Sequence, residues 1–201
     1  MTYKLNWALV SEKLQNKKIT LFTPSIFLSL FNISHNTGKS LLSAYTQKGF
    51  FIKLKNGFYI TKSPQPNDFE IANKIYMPSY VSFETALSYH NVLPEIVYSI
   101  TSATTKASRN YVILNKYFTY HKIKKELFFG YDAITIGGQT IWMADKEKAL
   151  LDYLYFVTMK KKPENDRLYL KEMSTSKIKK YLKQYNNPLL EAKIKKLLIT
   201  K

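Results

Sequence analysis

TPSIFLSLFNISHNTGKSLLSAYTQKGFFIKLKNGFYIT, residues 23–61, decides the fold of the N-terminal part of this chain. Thr23-Pro24 supplies an N-cap and a first-turn proline, and Ile26, Phe27, Leu30 and Phe31 recur at i, i+1, i+4 and i+5 on one apolar stripe, which predicts a helix. Asn32-Ile33-Ser34 interrupts that period. A second helical pattern follows, with Gly38, Leu41, Leu42 and Tyr45 inward and Asn36, Lys39, Ser40, Ser43 and Gln47 outward. Phe51–Lys55 and Phe58–Thr61 then alternate around Asn56-Gly57, a dipeptide suited to the two positive φ angles of a type I′ hairpin turn. A two-residue loop pairs Leu54 with Tyr59 and Lys53 with Ile60, and leaves open which side is buried. Two helices across a tight turn, then a hairpin with a basic tip, outline a winged helix-turn-helix. In such a fold the second helix reads base edges and the wing meets phosphates. Candidate DNA contacts are therefore His35, Asn36, Thr37, Lys39, Ser40, Ser43 and Gln47 on the helix, and Lys53, Lys55 and Asn56 in the wing. His35 and Thr37 serve equally well as helix-start residues.

The net charge of +17 is unevenly spread. Residues 1–65 hold nine Lys against Glu12 alone, residues 66–158 hold nine cations and nine acids, and residues 159–201 hold thirteen cations and four acids. Basic ends around a neutral middle draw polyanions by counterion release, with nucleic acid the leading class. Biased base composition alone can multiply lysines, but it does not explain why acids are missing from both ends. Zero Cys excludes disulfides, thiolate zinc sites and cysteine nucleophiles. The Met1–Leu14 segment is amphipathic rather than a uniformly apolar leader, and no apolar run reaches membrane-spanning length, so a cytoplasmic chain with no membrane partner is expected.

Ser63-Pro64-Gln65-Pro66-Asn67 is the expected boundary between a domain at 1–65 and a larger mixed α/β domain at 66–201, an α+β chain overall. In the second domain, helices are predicted over Asp68–Tyr76 and from an N-cap at Ser82 through His90. Strands are predicted over Val97–Ala103, Tyr111–Tyr120 and Gly138–Met143. From Asp145 the helical period returns, with Ala149, Leu150, Tyr153, Leu154 and Val157 on one side. Two basic helices finish the chain, one begun by Ser176 and one capped by Asn187-Pro188. Their lysines (Lys177, Lys179, Lys180, Lys183, Lys193, Lys195 and Lys196) form a candidate second basic surface.

Catalytic patterns are lacking. Asn36-Thr37-Gly38-Lys39-Ser40 ends like a P-loop, yet Ile33 stands where the first glycine belongs and no strand precedes it. His35, His90 and His121 are far apart and lack neighbours at zinc-ligand spacing. Asp145, Glu147 and Asp152 could pair, but flanking Lys146 and Lys148 favour a solvated helix start. Gly137-Gly138 is a turn. No enzyme, cofactor, metal or small-molecule substrate is expected.

Three runs carry a family resemblance: Tyr80-Val81-Ser82-Phe83-Glu84-Thr85-Ala86-Leu87-Ser88-Tyr89-His90 with Leu93-Pro94 behind it, Ile100-Thr101-Ser102-Ala103-Thr104-Thr105-Lys106, and Ala144-Asp145-Lys146-Glu147-Lys148-Ala149-Leu150-Leu151-Asp152. Together with the winged-helix pattern before them, they resemble the AbiEi antitoxins of type IV toxin–antitoxin systems of abortive phage infection. The resemblance covers nearly the whole chain and is least specific after about residue 170. Lys146 departs from it, standing where proline is expected at the helix start. The resemblance implies a winged helix that binds inverted repeats in double-stranded DNA of its own promoter and represses its operon. It also implies a C-terminal domain that counteracts a co-encoded AbiEii nucleotidyltransferase-like toxin without a stable complex. The alternative is an RNA-binding or protein-interaction module acting through the basic C-terminal helices.

Overall fold

The computed structural model describes residues 5–54, 57–95 and 97–199 of an α+β chain. It divides into two compact units, residues 1–71 with the 136–139 turn, and residues 72–135 with 140–201.

The first unit runs α1 (Trp7–Asn16), β1 (Leu21–Phe22), α2 (Pro24–Phe31), α3 (His35–Gln47), β2 (Phe51–Lys53) and β3 (Tyr59–Thr61). Each helix starts where a short polar side chain accepts from a free backbone N–H of the first turn: Asn6 from Leu9, Thr23 from Ile26 and Ser34 from Thr37. Asn32, left-handed at φ 49°, ends α2. The strands form an antiparallel sheet in the order β1-β3-β2. Val10, Leu14, Phe22, Phe27, Leu42, Tyr45, Phe51 and Tyr59 make the core, with Phe22 and Phe51 meeting edge to face at 5.0 Å. Gly38 lets α3 approach α2, since a Cβ there would lie 2.0 Å from Leu28 Cδ2.

The hairpin register corrects the two-residue Asn-Gly turn. Lys53 opposes Tyr59 and Ile52 opposes Ile60, one residue out of the expected alignment. The Leu54 N–H donates to the Phe58 carbonyl, so the strands stay in register as far as Leu54 and Phe58, and Gly57 has φ 77°. A left-handed glycine closing a three-residue loop is the other common hairpin solution. The shift puts Phe51 and Tyr59 together in the core and leaves Lys53 at its exposed end.

The second unit begins half-way along α4 (Asp68–Ile75). It continues through β4 (Ser79–Val81), α5 (Phe83–Tyr89), β5 (Ser99–Thr104), β6 (Arg109–Ile113) and β7 (Lys116–Lys122), then β8 (Tyr131–Ile136), β9 (Gln139–Ala144), α6 (Lys146–Thr158), α7 (Thr175–Tyr185) and α8 (Pro188–Ile199). The six strands form a mixed sheet in the order β6-β7-β5-β4-β9-β8. The expected single strand over Tyr111–Tyr120 is instead the antiparallel pair β6–β7, folded at Leu114 and Asn115 with φ 50° and 60°. An apolar run hid this turn, which contains no glycine. Ser82 occupies the N-cap position of α5 but makes no cap bond, because its hydroxyl donates to Asp152. Ser174, rather than Ser176, caps α7.

Helix α6 is not one-sided: every residue from Glu147 to Phe156 is buried. The expected solvated start is therefore corrected; Asp145 does cap Lys148 N–H, but Glu147, Lys148 and Asp152 lie inside the unit. No helix among the described residues is long and apolar enough to cross a membrane.

Candidate nucleic-acid interface

Helix α3 turns Gly38, Leu42 and Tyr45 into the core, which leaves His35, Asn36, Thr37, Lys39, Ser40, Ser43 and Gln47 exposed on its other side. Asn36, Ser40, Ser43 and Gln47 follow one another at helical spacing and extend over about 16 Å. The Thr37 hydroxyl is engaged with Ser34 Oγ at 2.9 Å, so it belongs to the cap. Lys53 is exposed on the hairpin, with its Nζ 6.0 Å from the Tyr59 ring centre. Lys55 and Asn56 lie outside the described residues. A groove of about 350 Å³ separates helix from hairpin, lined by Leu28, His35, Lys39, Gln47, Lys53 and Tyr59 among others. From residue 13 to residue 67 the sequence has no acid, so nothing in this stretch opposes the field of its lysines or of the positive α3 N-terminus.

The C-terminal lysines differ in their surroundings. Lys177 pairs with Asp145 at 3.1 Å and Glu147 at 3.5 Å, and Lys193 pairs with Glu164 at 2.6 Å. Lys179, Lys180, Lys183, Lys195 and Lys196 are exposed.

Sequence reasoning missed a buried polar centre in the second unit. Asp152 Oδ1 accepts from Lys148 Nζ at 2.6 Å and Tyr185 Oη at 2.7 Å, while Oδ2 accepts from Tyr80 Oη at 3.0 Å and Ser82 Oγ at 2.8 Å. Lys148 Nζ also lies 2.6 Å from Tyr185 Oη and over the Phe129 ring. Burial, then the Asp152 charge, pushes the Tyr80 and Tyr185 phenols well above their ordinary range. Burial pulls Lys148 down, against the opposing pull of Asp152. The Lys148 and Asp152 side chains are 0% exposed, so this centre locks α6 to β4 and α7 and offers no substrate an entry. Its one sequence signal was Lys148 and Asp152 at i, i+4 on a helix apolar on its other sides. Elsewhere in the unit, burial beside Lys162 and Lys161 lowers His121 to about 4. His90 is tied through Nε2 to the Ala144 carbonyl at 2.8 Å. No three His, Asp or Glu side chains converge as a metal site among the described residues.

No protein-family model matches the chain, and no curated protein matches it in sequence.

Proposed function

We propose that the chain is a DNA-binding autorepressor and the antitoxin of a type IV toxin–antitoxin pair. In this reading the first unit is a winged helix-turn-helix, with α3 in the major groove and the β2–β3 hairpin as the wing on the phosphate backbone. The observation that carries the DNA-binding half is the exposed face of α3: amide, hydroxyl and lysine side chains at helical spacing, beside Lys53, in a stretch without a single acid. Amide side chains pair with adenine edges, hydroxyls suit either base class, and lysines serve guanine or phosphate. The antitoxin half rests on the resemblance of the Tyr80–His90, Ile100–Lys106 and Ala144–Asp152 runs to the AbiEi antitoxins. Two copies of the chain on an inverted repeat then silence the operon, and the second unit opposes the nucleotidyltransferase-like toxin without a lasting complex. The exposed lysines of α7 and α8 are its candidate surface.

The test is a mobility-shift titration of the full chain on a duplex from its own promoter. Lys39→Ala with Lys53→Ala should weaken binding by tenfold or more and lower the log–log salt slope by about 2. Unchanged affinity and slope in the double variant sink the site assignment. Co-expression with the neighbouring toxin gene tests the second half: loss of growth rescue in a promoter-independent system is expected for Lys179→Ala/Lys180→Ala/Lys183→Ala.

A further inference from the structure

Among the hydrogen-bonding side chains of α3, the fold separates those already engaged from those left open. The Thr37 hydroxyl is bonded to Ser34 Oγ at 2.9 Å, and the Thr46 hydroxyl donates to the Leu42 carbonyl at 2.7 Å. Asn36, Ser40, Ser43 and Gln47 make no side-chain hydrogen bond among the described residues, and all four are exposed. At about 100° per residue they fall within about 60° of the helix circumference, a single stripe. Its length of about 16 Å matches about five base pairs at roughly 3.4 Å each. Ala44, half-buried, shares this surface. Lys39 lines both the stripe and the groove that holds Lys53, so it stands on the hairpin side.

What the stripe lacks narrows what it can read. A bidentate arginine is the commonest mark of a guanine reader, and an acidic side chain accepts from the cytosine amino group. The two arginines of the chain, Arg109 and Arg167, both belong to the second unit, and no acid stands between residue 13 and residue 67. Both side-chain types that single out a G·C pair are therefore missing from the first unit's exposed helix face. A side-chain amide, by contrast, accepts from the adenine amino group while donating to N7, and a small methyl packs on the thymine methyl. Hydroxyls suit either base class. Lys39, the one lysine of α3, lies towards Lys53, where a wing would meet phosphate.

We propose that α3 reads A·T base pairs in the major groove, with Asn36 and Gln47 bidentate to adenines, Ser40 and Ser43 between them, and Ala44 against a thymine methyl. This rests on the operator reading above and adds to it the base class that the helix selects.

The experiment is selection by the full chain from duplexes of about 30 base pairs with a randomised centre, followed by anisotropy titration of the enriched duplex. The expected enrichment is a half-site with adenine or thymine at four or more of about five adjacent positions. Replacing an enriched adenine by 7-deazaadenine keeps the base pair and removes the N7 acceptor. At two positions of the half-site this should weaken binding about fivefold or more, while 7-deazaguanine at any guanine should leave it unchanged. One of these losses should vanish in Asn36→Ala and the other in Gln47→Ala. Both side chains are exposed, and an unchanged thermal midpoint checks folding. The failures are distinguishable. Binding that enriches no sequence overturns the operator reading and this proposal with it. An enriched site dominated by G·C pairs, or one sensitive to 7-deazaguanine, leaves the operator reading standing and overturns this proposal alone. So does an A·T-rich site indifferent to 7-deazaadenine, which is chosen by groove shape instead, or one whose sensitivity survives both variants.

Discussion

Asp152→Ala should be among the most damaging single substitutions in this protein. The carboxylate holds four donors, of which Lys148 Nζ at 2.6 Å is charged and fully enclosed. Removing it leaves Lys148 with Tyr185 Oη at 2.6 Å as its hydrogen-bond partner and takes the acceptor from Tyr80 and Ser82. Breaking one side of a buried pair costs about 3–5 kcal/mol. An upper bound on the lysine part follows from chemistry: Lys148 can shed its proton, and a lysine is made neutral at pH 7 for about 5 kcal/mol. Both routes give a loss of about 4 kcal/mol, or about 2 M in a urea midpoint at an m-value near 2 kcal/mol per M. The assay is urea unfolding followed through Trp142, which belongs to the second unit, in a Trp7→Phe background. Because the variant folds with Lys148 neutral while the unfolded chain keeps it protonated, the loss should shrink by about 1.4 kcal/mol per pH unit as the pH is raised from 7 towards 9. Adding Lys148→Met to Asp152→Ala should recover at least 2 kcal/mol relative to the sum of the single losses. A loss under 1 kcal/mol, or strict additivity of the two changes, would refute the reasoning.

His121 is held neutral in the fold, near 4, against 6.5 when exposed. Its contribution is complete above pH 6.5 and is lost as the pH falls towards 4, by about 2 kcal/mol once partial solvent contact is discounted. His121→Phe, between Phe83 and Phe156, should flatten the stability profile across that window in acid-dependent denaturation. The alkaline limit has the opposite sign. Tyr80, Tyr120 and Tyr185 stay protonated above the ordinary phenol value of 10, so stability is full below pH 10 and falls above it. Spectrophotometric titration should show these rings ionising only as the protein unfolds. Gly38→Ala gains helix propensity of about 1 kcal/mol but drives a methyl into Leu28, and a net loss of about 1–2 kcal/mol is expected. In a Leu28→Ala background the clashing atoms are gone, and alanine at residue 38 should become more stable than glycine by up to about 1 kcal/mol.

The helices of the first unit were legible because local chemistry fixes them: Thr23 caps where its side chain says it should, and Gly38, Leu42 and Tyr45 fall on one face, although Ser34, which caps α3, reads in the sequence only as part of a break in the period. The hairpin register was not legible, because Asn-Gly serves both two- and three-residue loops and the choice is made by Phe51 and Tyr59 meeting in the core. In the second unit, β4 has three residues and β6–β7 turns on Leu114-Asn115 without glycine, so neither leaves a periodic mark. The least legible feature was the burial of α6. Lys146-Glu147-Lys148 reads as a wet helix start until Ser174 arrives from a distant part of the chain to donate to Glu147, and Tyr185 to accept from Lys148. Sequence-local rules assign charges to water by default, and only tertiary hydrogen bonds reverse that.

The same reversal changes how the charge of this chain acts. Counted by windows, residues 66–158 cancel to zero. In the fold several of these acids are engaged by cations of the second unit, while Glu126 and Asp132 stay exposed. Asp152 is spent on Lys148 inside the second unit, Asp145 and Glu147 hold Lys177, and Glu84 holds Lys162 at 2.7 Å. The cations of residues 106–125 remain on the surface. A buried or paired acid contributes little to the field felt by an approaching polyanion, whereas an exposed lysine contributes nearly all of its own. Binding should therefore track the exposed cations of each unit rather than window sums. The salt slope of nucleic-acid binding by the full chain should respond to exposed lysines such as Lys39 and Lys53 and stay fixed when the buried pair is replaced in a folded variant. A slope that followed total charge instead would mean that the second unit attracts nucleic acid only as a diffuse positive body.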